Sequence, residues 1–138
     1  ELQAAMLNVK LKRLDADNER RRIIAQLYTG ELQNIESHVI GFRLLHPTSE
    51  SVHHVYPVFC LERDKLRMHL KALGIETLIH YPIPLHQQPC LSRHNIANMT
   101  FPKAECIASS VLSLPMSPVL TEDEVCQVIH AVQSFYGL

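Results

Sequence analysis

The first part of the chain carries apolar residues at helical spacing. Two adjacent stripes follow that spacing, Leu2-Met6-Val9 and Leu7-Leu11-Leu14. The pattern predicts a single helix over residues 1–28, ended by Thr29-Gly30 as a C-terminal cap. Such a helix would be about 42 Å long at ~1.5 Å per residue, longer than a domain of this size needs. Because two apolar faces must both be covered, we expect this helix to bridge to a domain that precedes the chain.

Short extended segments alternate with helices over the remainder. Runs rich in valine, isoleucine, phenylalanine and tyrosine predict strands at 39–45, 52–61, 77–81 and 111–114. Periodicity and start signals predict helices at 63–73, 102–110 and 122–136. Irregular segments are predicted at 31–37, 47–51 and 82–101. This order indicates an α+β two-layer domain, with residues 1–30 as an interdomain helix and residues 31–138 as the small domain.

Individual residues indicate how these elements end and pack. Gly74 fits a left-handed cap for the helix at 63–73, whose predicted buried face comprises Leu66, Leu70 and Leu73. Thr121 and Glu124 form a capping box for the last helix. Its predicted buried face comprises Val125, Val128, Ile129 and Val132. Pro57 lacks the amide that a sheet ladder needs, so it predicts an edge strand or a bulge.

Composition restricts the class of protein. The 138 residues are 46% hydrophobic and 20% charged, as in ordinary globular domains. The formal net charge of −1 gives no electrostatic reason to expect nucleic acid or an anionic membrane as a partner. No apolar run reaches the ~20 residues of a membrane helix. The four cysteines form no C-x-x-C pair and are predicted to be reduced thiols of a cytoplasmic protein, with Cys90 packed rather than reactive.

Most of the candidate chemistry has a structural explanation. The chain has nine histidines, but neither His53-His54 nor the pair His80 and His86 has the spacing of zinc ligands, so no metal is predicted. Arg20-Arg21-Arg22 is predicted to be a solvated helix face balanced by acidic neighbours. The sequence contains none of the glycine-rich motifs that bind phosphate groups.

One stretch, TLIHYPIPLHQQPCL at 77–91, combines several unusual features. His80 and Tyr81 end a predicted strand, and Pro82 and Pro84 follow at once. On spacing alone, a polar turn explains this arrangement. A rigid strand end that presents an imidazole and a phenol is also what a preorganised ligand site requires.

Three segments of the sequence resemble a known family. They are ELQAAMLNVKLKRLD, HVYPVFCLERDKLRMHLKALGIETLIHYPIPLHQQP and LSLPMSPVLTEDEVCQVIHAV. They resemble, in this order, the C-terminal part of the DegT/DnrJ/StrS family of sugar aminotransferases, and only 33–48 carries little of the resemblance. The most specific pieces are Gly74-Ile75 leading to the motif His80-Tyr81-Pro82-x-Pro84, and the motif Leu112-Ser113-Leu114-Pro115 leading to Leu120-Thr121. Members of this family are pyridoxal-phosphate enzymes that convert a keto sugar on a nucleotide carrier to an amino sugar.

The resemblance implies a fold-type I aminotransferase, with this chain as its small C-terminal domain and connecting helix. It implies pyridoxal 5′-phosphate as cofactor, a nucleotide-linked keto sugar as substrate, an amino-acid donor expected to be glutamate, and a homodimer with active sites between subunits. The parent enzyme would serve amino-sugar or cell-surface polysaccharide biosynthesis.

The same resemblance implies which residues act. The Schiff-base lysine and the other cofactor-binding groups would belong to a large domain outside this sequence. No catalytic or cofactor-binding residue is therefore assigned here, and the chain alone is expected to be inactive. For the nucleotide-sugar, the resemblance implies His80 and Tyr81 as contacts, followed by His86 at a position that varies among relatives.

Two alternatives stay open at the level of sequence. A family member without the lysine would act as a cofactor-dependent sugar dehydratase, and the residue that decides this lies outside the chain. The chain could instead be a non-catalytic α+β binding or dimerisation module. A gene that extends upstream by about 230 codons, the length of a large cofactor-binding domain, would separate an enzyme from such a module.

Overall fold

The structure is a computed structural model that describes residues 1–39, 41–44, 51–93 and 95–138. Within these ranges the helices are α1 (Leu2–Leu11), α2 (Leu14–His38), α3 (Arg63–Ala72), α4 (Pro102–Ser110) and α5 (Glu122–Phe135). The strands are β1 (Phe42–Leu44), β2 (Tyr56–Cys60) and β3 (Val111–Leu114). The predicted loop at 47–51 lies outside the described residues except for its last position. No helix in the described ranges combines the length and the hydrophobicity that crossing a membrane requires.

The strands form an antiparallel sheet in the order β1-β2-β3. Val58 of β2 faces Leu44 of β1 on one side and Leu112 of β3 on the other. Beyond β3, Leu78 forms an isolated antiparallel bridge to Ser113. Because side chains alternate between the two faces of a strand, Val58 and its partners lie on one face, and Ser113 and Leu78 lie on the opposite face.

Helices α2, α3 and α5 pack together with the first of these sheet faces and enclose the core. Their buried residues follow helical spacing and include Ile24, Tyr28, Leu32 and Ile35 of α2, Leu66 and Leu70 of α3, and Val125, Val128, Ile129 and Val132 of α5. The sheet contributes the inward side chains of all three strands to the same cluster. This arrangement confirms the predicted α+β two-layer fold.

The prediction of one helix that ends at Gly30 is wrong. Helices α1 and α2 are separated at Lys12-Arg13, and α2 runs through Gly30 into the stretch 31–37 that was expected to be irregular. Leu32 and Ile35 are fully buried and continue the apolar stripe of the preceding turns of α2. Burial of that stripe outweighs the poor helix propensity of glycine.

Pro57 lies in the central strand, so the prediction of an edge strand or a bulge is wrong. The ladder to β3 loses no hydrogen bond, because the partner of Pro57 is Ser113, and Ser113 exchanges both backbone hydrogen bonds with Leu78 at 2.8 and 3.3 Å. The position of the missing amide is therefore turned towards β1, where the last described pair is Leu44 with Val58.

Two predicted strands are shorter than expected. The segment at 77–81 contributes only the bridge at Leu78. Strand β3 is four residues long, and only every second residue of it directs its backbone N–H and C=O towards this segment. The strand predicted from residue 52 begins at Tyr56. The backbone at His53 has a positive φ of 49°, which is incompatible with an extended strand.

Two side chains predicted to be packed are exposed instead. Leu73 is 56% exposed, because it follows the last turn of α3, where Gly74 adopts the expected left-handed conformation with φ 78°. Cys90 is exposed in a short 3-10 turn, whereas Cys60 is buried in the core. All four cysteines are free thiols.

The predicted capping box of α5 is confirmed. The Glu124 amide donates to the Thr121 hydroxyl at 3.2 Å, and the Thr121 amide donates to the Glu124 carboxylate at 2.8 Å. These two bonds satisfy backbone donors at the helix start that have no partner within the helix. The helix start therefore lies where the sequence predicts it.

Candidate functional site

A cleft of about 240 Å³ lies beside the bridge between Leu78 and Ser113. The polar side chains in its lining are His54, Glu76, His80 and Ser113, and its apolar side chains include Leu78. Glu76, Leu78 and His80 occupy alternate positions of one extended segment, which brings their side chains to the same side. The structure thus places the predicted site residue His80 in the wall of a cleft.

The ring of His80 is held by a hydrogen bond across the sheet. Its Nδ1 lies 2.9 Å from the hydroxyl of Ser113, a residue that is only 4% exposed. The backbone of Ser113 is fixed in turn by its two hydrogen bonds with Leu78. Among the described residues, none forms a hydrogen bond with Nε2 of His80. That nitrogen is therefore available to a ligand in the cleft.

Tyr81 lies next to the cleft rather than in its wall. Its side chain is 74% exposed, and its ring meets the ring of His80 edge to face with centroids 5.6 Å apart. The peptide bond between the two residues is cis. Pro82 and Pro84 follow and restrict the backbone. The phenol is accessible to a ligand that extends out of the cleft past His80.

His86 is not in the wall of this cleft. It is 4% exposed, and its Nε2 donates to a carboxylate oxygen of Glu105 at 3.0 Å. Its ring packs on that of Phe101, with centroids 4.8 Å apart. The amide of Phe101 donates to the same oxygen of Glu105, and this bond, followed by the one from His86, holds the pKa of Glu105 below its usual value. His86 therefore joins the long loop to α4, and its role towards substrate stays a prediction.

The charge of the cleft indicates which chemical groups suit it. Its lining contains the carboxylate of Glu76 and the imidazoles of His54 and His80, and no lysine or arginine of the described residues lines it. A carboxylate accepts hydrogen bonds from sugar hydroxyls and repels phosphate groups. The Glu76 side of the cleft therefore suits a neutral polyhydroxyl group better than a diphosphate.

One wall of the cleft is anchored to the core. Tyr28 of α2 is fully buried and donates its hydroxyl hydrogen to the carbonyl of Pro115 at 2.9 Å. Pro115 follows β3 and lines the cleft. Burial raises the pKa of Tyr28, so the phenol keeps its proton and remains a donor. The position at which the chain leaves β3 is therefore fixed by the helical layer.

Three polar residues of this cleft received no site role from the sequence: His54, Glu76 and Ser113. Ser113 belongs to one of the family motifs, but the motif does not indicate its contact. Glu76 precedes His80 by four positions, and side chains at an even spacing in an extended segment point to the same side. This spacing is a signal that could have identified Glu76 as a neighbour of His80. Ser113 lies between apolar residues of a predicted strand, and a polar residue there is an ordinary strand feature. Its contact with His80 depends on the register between two segments 33 residues apart, which no local pattern encodes.

Comparison with known proteins establishes the family. Residues 1–133 match the DegT/DnrJ/EryC1/StrS aminotransferase family. The chain therefore belongs to the DegT/DnrJ/EryC1/StrS aminotransferase family, as the sequence resemblance predicted. Aminotransferases of this family depend on pyridoxal 5′-phosphate.

Individual relatives agree with this result over nearly the whole chain. The chain is 42% identical over 135 residues to the dTDP-3-amino-3,6-dideoxy-alpha-D-galactopyranose transaminase of Aneurinibacillus thermoaerophilus. It is 40% identical over 134 residues to the erythromycin biosynthesis sensory transduction protein EryC1 of Saccharopolyspora erythraea. These alignments cover 98% and 97% of this chain but 36% of each relative, so the chain spans about a third of the length of the proteins it matches.

A solved structure shows the same fold. The crystal structure of DesV from S. venezuelae superposes with a TM-score of 0.88 at 37% sequence identity. The superposition covers 99% of this chain and 36% of DesV. The predicted fold, the small domain of a fold-type I aminotransferase, is therefore confirmed.

The residues of this chain do not by themselves fit the cofactor. Pyridoxal phosphate is held in such enzymes by an imine to a lysine, with further groups on its ring nitrogen and phosphate. All five lysines of this chain are exposed, and none lines the cleft at His80: Lys10, Lys12, Lys65, Lys71 and Lys103. The chemistry that can be derived for this chain is therefore hydrogen bonding to a substrate, not attachment of the cofactor.

Proposed function

We propose that this chain forms the substrate-contacting part of a pyridoxal-phosphate-dependent aminotransferase that converts a nucleotide-linked keto sugar to an amino sugar. Glutamate would be the amino donor, and the enzyme would be a cytoplasmic homodimer. Residues 31–138 would form its small domain, together with the preceding turns of α2, whose Ile24 and Tyr28 lie in the same core. The start of the segment 1–30, namely α1, would lead to the cofactor-binding domain, because none of its residues is buried in this chain.

One observation carries the proposal. The two most specific motifs by which the sequence resembles sugar aminotransferases meet at the same cleft, where Nδ1 of His80 lies 2.9 Å from Oγ of Ser113. The relatives that align over nearly the whole chain include a dTDP-sugar transaminase. A site at which both motifs converge is the expected place for the substrate that members of the family share.

His80 and Tyr81 have distinct roles in the proposal. His80 would hydrogen-bond an oxygen of the sugar through Nε2, within reach of the acceptor carboxylate of Glu76. Tyr81, outside the wall, would contact the part of the nucleotide-sugar that leaves the cleft. Pyridoxal phosphate, when bound by the rest of the enzyme, accepts and delivers the amino group, while these residues hold the sugar in position.

The proposal predicts the behaviour of two variants of the full-length protein. His80→Ala and Tyr81→Phe should each raise KM for the nucleotide-linked keto sugar, because each removes a hydrogen bond of about 1–3 kcal/mol. Both should retain the visible absorbance of the bound cofactor. Steady-state kinetics with a panel of nucleotide-linked keto sugars, combined with absorbance spectra, measures both effects.

A matched control separates the site from general destabilisation. His130 is exposed on α5, away from the cleft, and His130→Ala should leave KM unchanged. Loss of the cofactor absorbance with unchanged substrate affinity in either site variant would show that the role is misassigned. A full-length protein that binds the cofactor yet aminates none of the keto sugars would refute the proposed function.

A further inference from the structure

We infer that Ser113 is a positioning residue that fixes both the orientation and the tautomer of His80. In this arrangement the Ser113 hydroxyl donates to Nδ1 of His80, and the ring proton sits on Nε2, where it faces the cleft. The inference rests on the proposed function in one respect, the substrate oxygen that Nε2–H would meet. The contact between the two side chains stands without it.

The geometry restricts the ring to one arrangement. Ser113 is 4% exposed and belongs to a strand whose backbone is paired on both sides, so the residue that carries the hydroxyl has a fixed place in the sheet. The distance of 2.9 Å between Oγ and Nδ1 is that of a good hydrogen bond. The ring of Tyr81 packs edge to face on the imidazole, with centroids 5.6 Å apart, and restrains its rotation further. Nδ1 is thereby directed towards the sheet and Nε2 away from it.

The tautomer follows from the chemistry on each side of the ring. A neutral imidazole has one donor nitrogen and one acceptor nitrogen, and the partner of one nitrogen decides the state of the other. Sugar carbonyl and phosphate oxygens are acceptors, so the nitrogen that faces them must carry the proton. A serine hydroxyl can donate to a ring nitrogen or accept from it. Ser113 is 4% exposed, and among the described residues its hydroxyl has only Nδ1 of His80 as a partner, so donation to Nδ1 is the arrangement that gives the buried hydroxyl proton an acceptor. This selects the Nε2–H state before the substrate arrives, and such preorganisation strengthens binding.

The test compares substitutions at Ser113 in the full-length protein. Ser113→Ala removes the hydroxyl, whereas Ser113→Thr retains it and suits a strand. Ser134→Ala is the matched control, because the Ser134 hydroxyl lies 3.1 Å from Nε2 of a different histidine, His69, outside the cleft. Two quantities are measured: the ¹⁵N chemical shifts of the His80 ring, assigned with a His80→Ala sample, and KM and kcat for the nucleotide-linked keto sugar.

We expect wild type, Ser113→Thr and Ser134→Ala to show Nε2 protonated and Nδ1 unprotonated. Ser113→Ala should show a mixture of both tautomers. Its KM should rise about 3- to 10-fold, the effect of one neutral hydrogen bond, with little change in kcat. A general loss of stability would lower the yield of folded enzyme without altering the tautomer ratio.

The two measurements separate this inference from the proposed function. The ring shifts need no substrate, so an unchanged tautomer in Ser113→Ala overturns the positioning role whatever the kinetics show. An unchanged KM in Ser113→Ala together with a raised KM in His80→Ala also overturns it. A changed tautomer with KM unaffected by either Ser113→Ala or His80→Ala supports the contact and refutes the assignment of the cleft to the nucleotide-sugar.

Discussion

At the scale of single residues, the contact of Glu105 with the long loop has a definite dependence on pH. One oxygen of Glu105 accepts hydrogen bonds from the amide of Phe101 at 2.9 Å and from Nε2 of His86 at 3.0 Å. Both bonds favour the carboxylate over the carboxylic acid, so the pKa of Glu105 is lowered in the folded protein. The loop is therefore tied to α4 by a charged group whose protonation weakens the tie.

The sign of the effect follows from linkage. A carboxyl group with a lowered folded pKa contributes stability above its unfolded pKa, and the contribution is lost as pH falls through the folded value. We predict that the amide proton shift of Phe101 titrates with a midpoint below 4.5, the ordinary value for glutamate. An NMR titration of the protein measures this midpoint, and Glu105→Gln should abolish the transition. A midpoint at or above the ordinary glutamate value would show that the hydrogen bonds are not formed in solution.

At the scale of elements, two glycines have opposite roles. Gly30 lies in the interior of α2, is exposed, and has no atom within 4 Å of the position that a Cβ would occupy. Gly74 ends α3 with a φ of 78°, also with open space around it. Both positions therefore have room for a Cβ atom, and they differ in backbone conformation.

Alanine at these positions should change stability in opposite directions. Gly30→Ala should stabilise the protein by about 0.5–1 kcal/mol, because alanine is the better helix former and restricts the unfolded chain. Gly74→Ala should destabilise it by about 1–2 kcal/mol, because a left-handed backbone strains an L-residue. Urea unfolding of both variants and of the wild type measures the two changes in the free energy of unfolding. Destabilisation by Gly30→Ala would contradict the continuous helix through residue 30.

The comparison of sequence and structure shows which information is local. The capping box at Thr121 and the cap at Gly74 depend on a few neighbouring residues, and the sequence predicts both correctly. The end of α2 is decided by burial of Leu32 and Ile35 against distant elements, so a local rule about Gly30 fails there. The exposed edge expected for Pro57 fails for the same reason, since strand order is set by the whole sheet.

The candidate site divides in the same way. The family motif around His80 and Tyr81 is visible in the sequence and marks one side of the cleft. The opposite side depends on Ser113, which reaches His80 through the pairing of Leu78 with β3. A register between segments cannot be read from spacing within one of them. The sequence therefore marks Ser113 as part of a family motif but does not predict its contact with His80.

At the scale of the whole molecule, α1 stands apart from the core. None of its residues is buried. Its apolar side chains are 58–77% exposed: Leu2, Met6, Leu7, Val9 and Leu11. Two exposed apolar stripes on one helix are a typical surface for contact with other protein elements.

We predict that the 138-residue chain, produced by itself, self-associates through α1. Sedimentation velocity across micromolar concentrations should show a mass that increases with concentration, and the double substitution Met6→Glu and Leu7→Glu should suppress it. Val119→Glu, at an isolated apolar residue that is 78% exposed, is the control and should leave association unchanged. A chain that stays monomeric with an ordered α1 would show that this helix needs no partner.

The isolated bridge at Leu78 has a consequence for how the domain behaves at high concentration. A sheet edge with unpaired backbone groups can recruit a strand from another molecule and so begin aggregation. Here the outermost segment is paired to β3 only through Leu78, and Pro82 and Pro84, which lack amide hydrogens, follow within six residues. A strand from a second chain could therefore pair with only a few residues of this edge, those around the cleft. The prolines that hold Tyr81 beside His80 also protect this edge against intermolecular β-sheet growth.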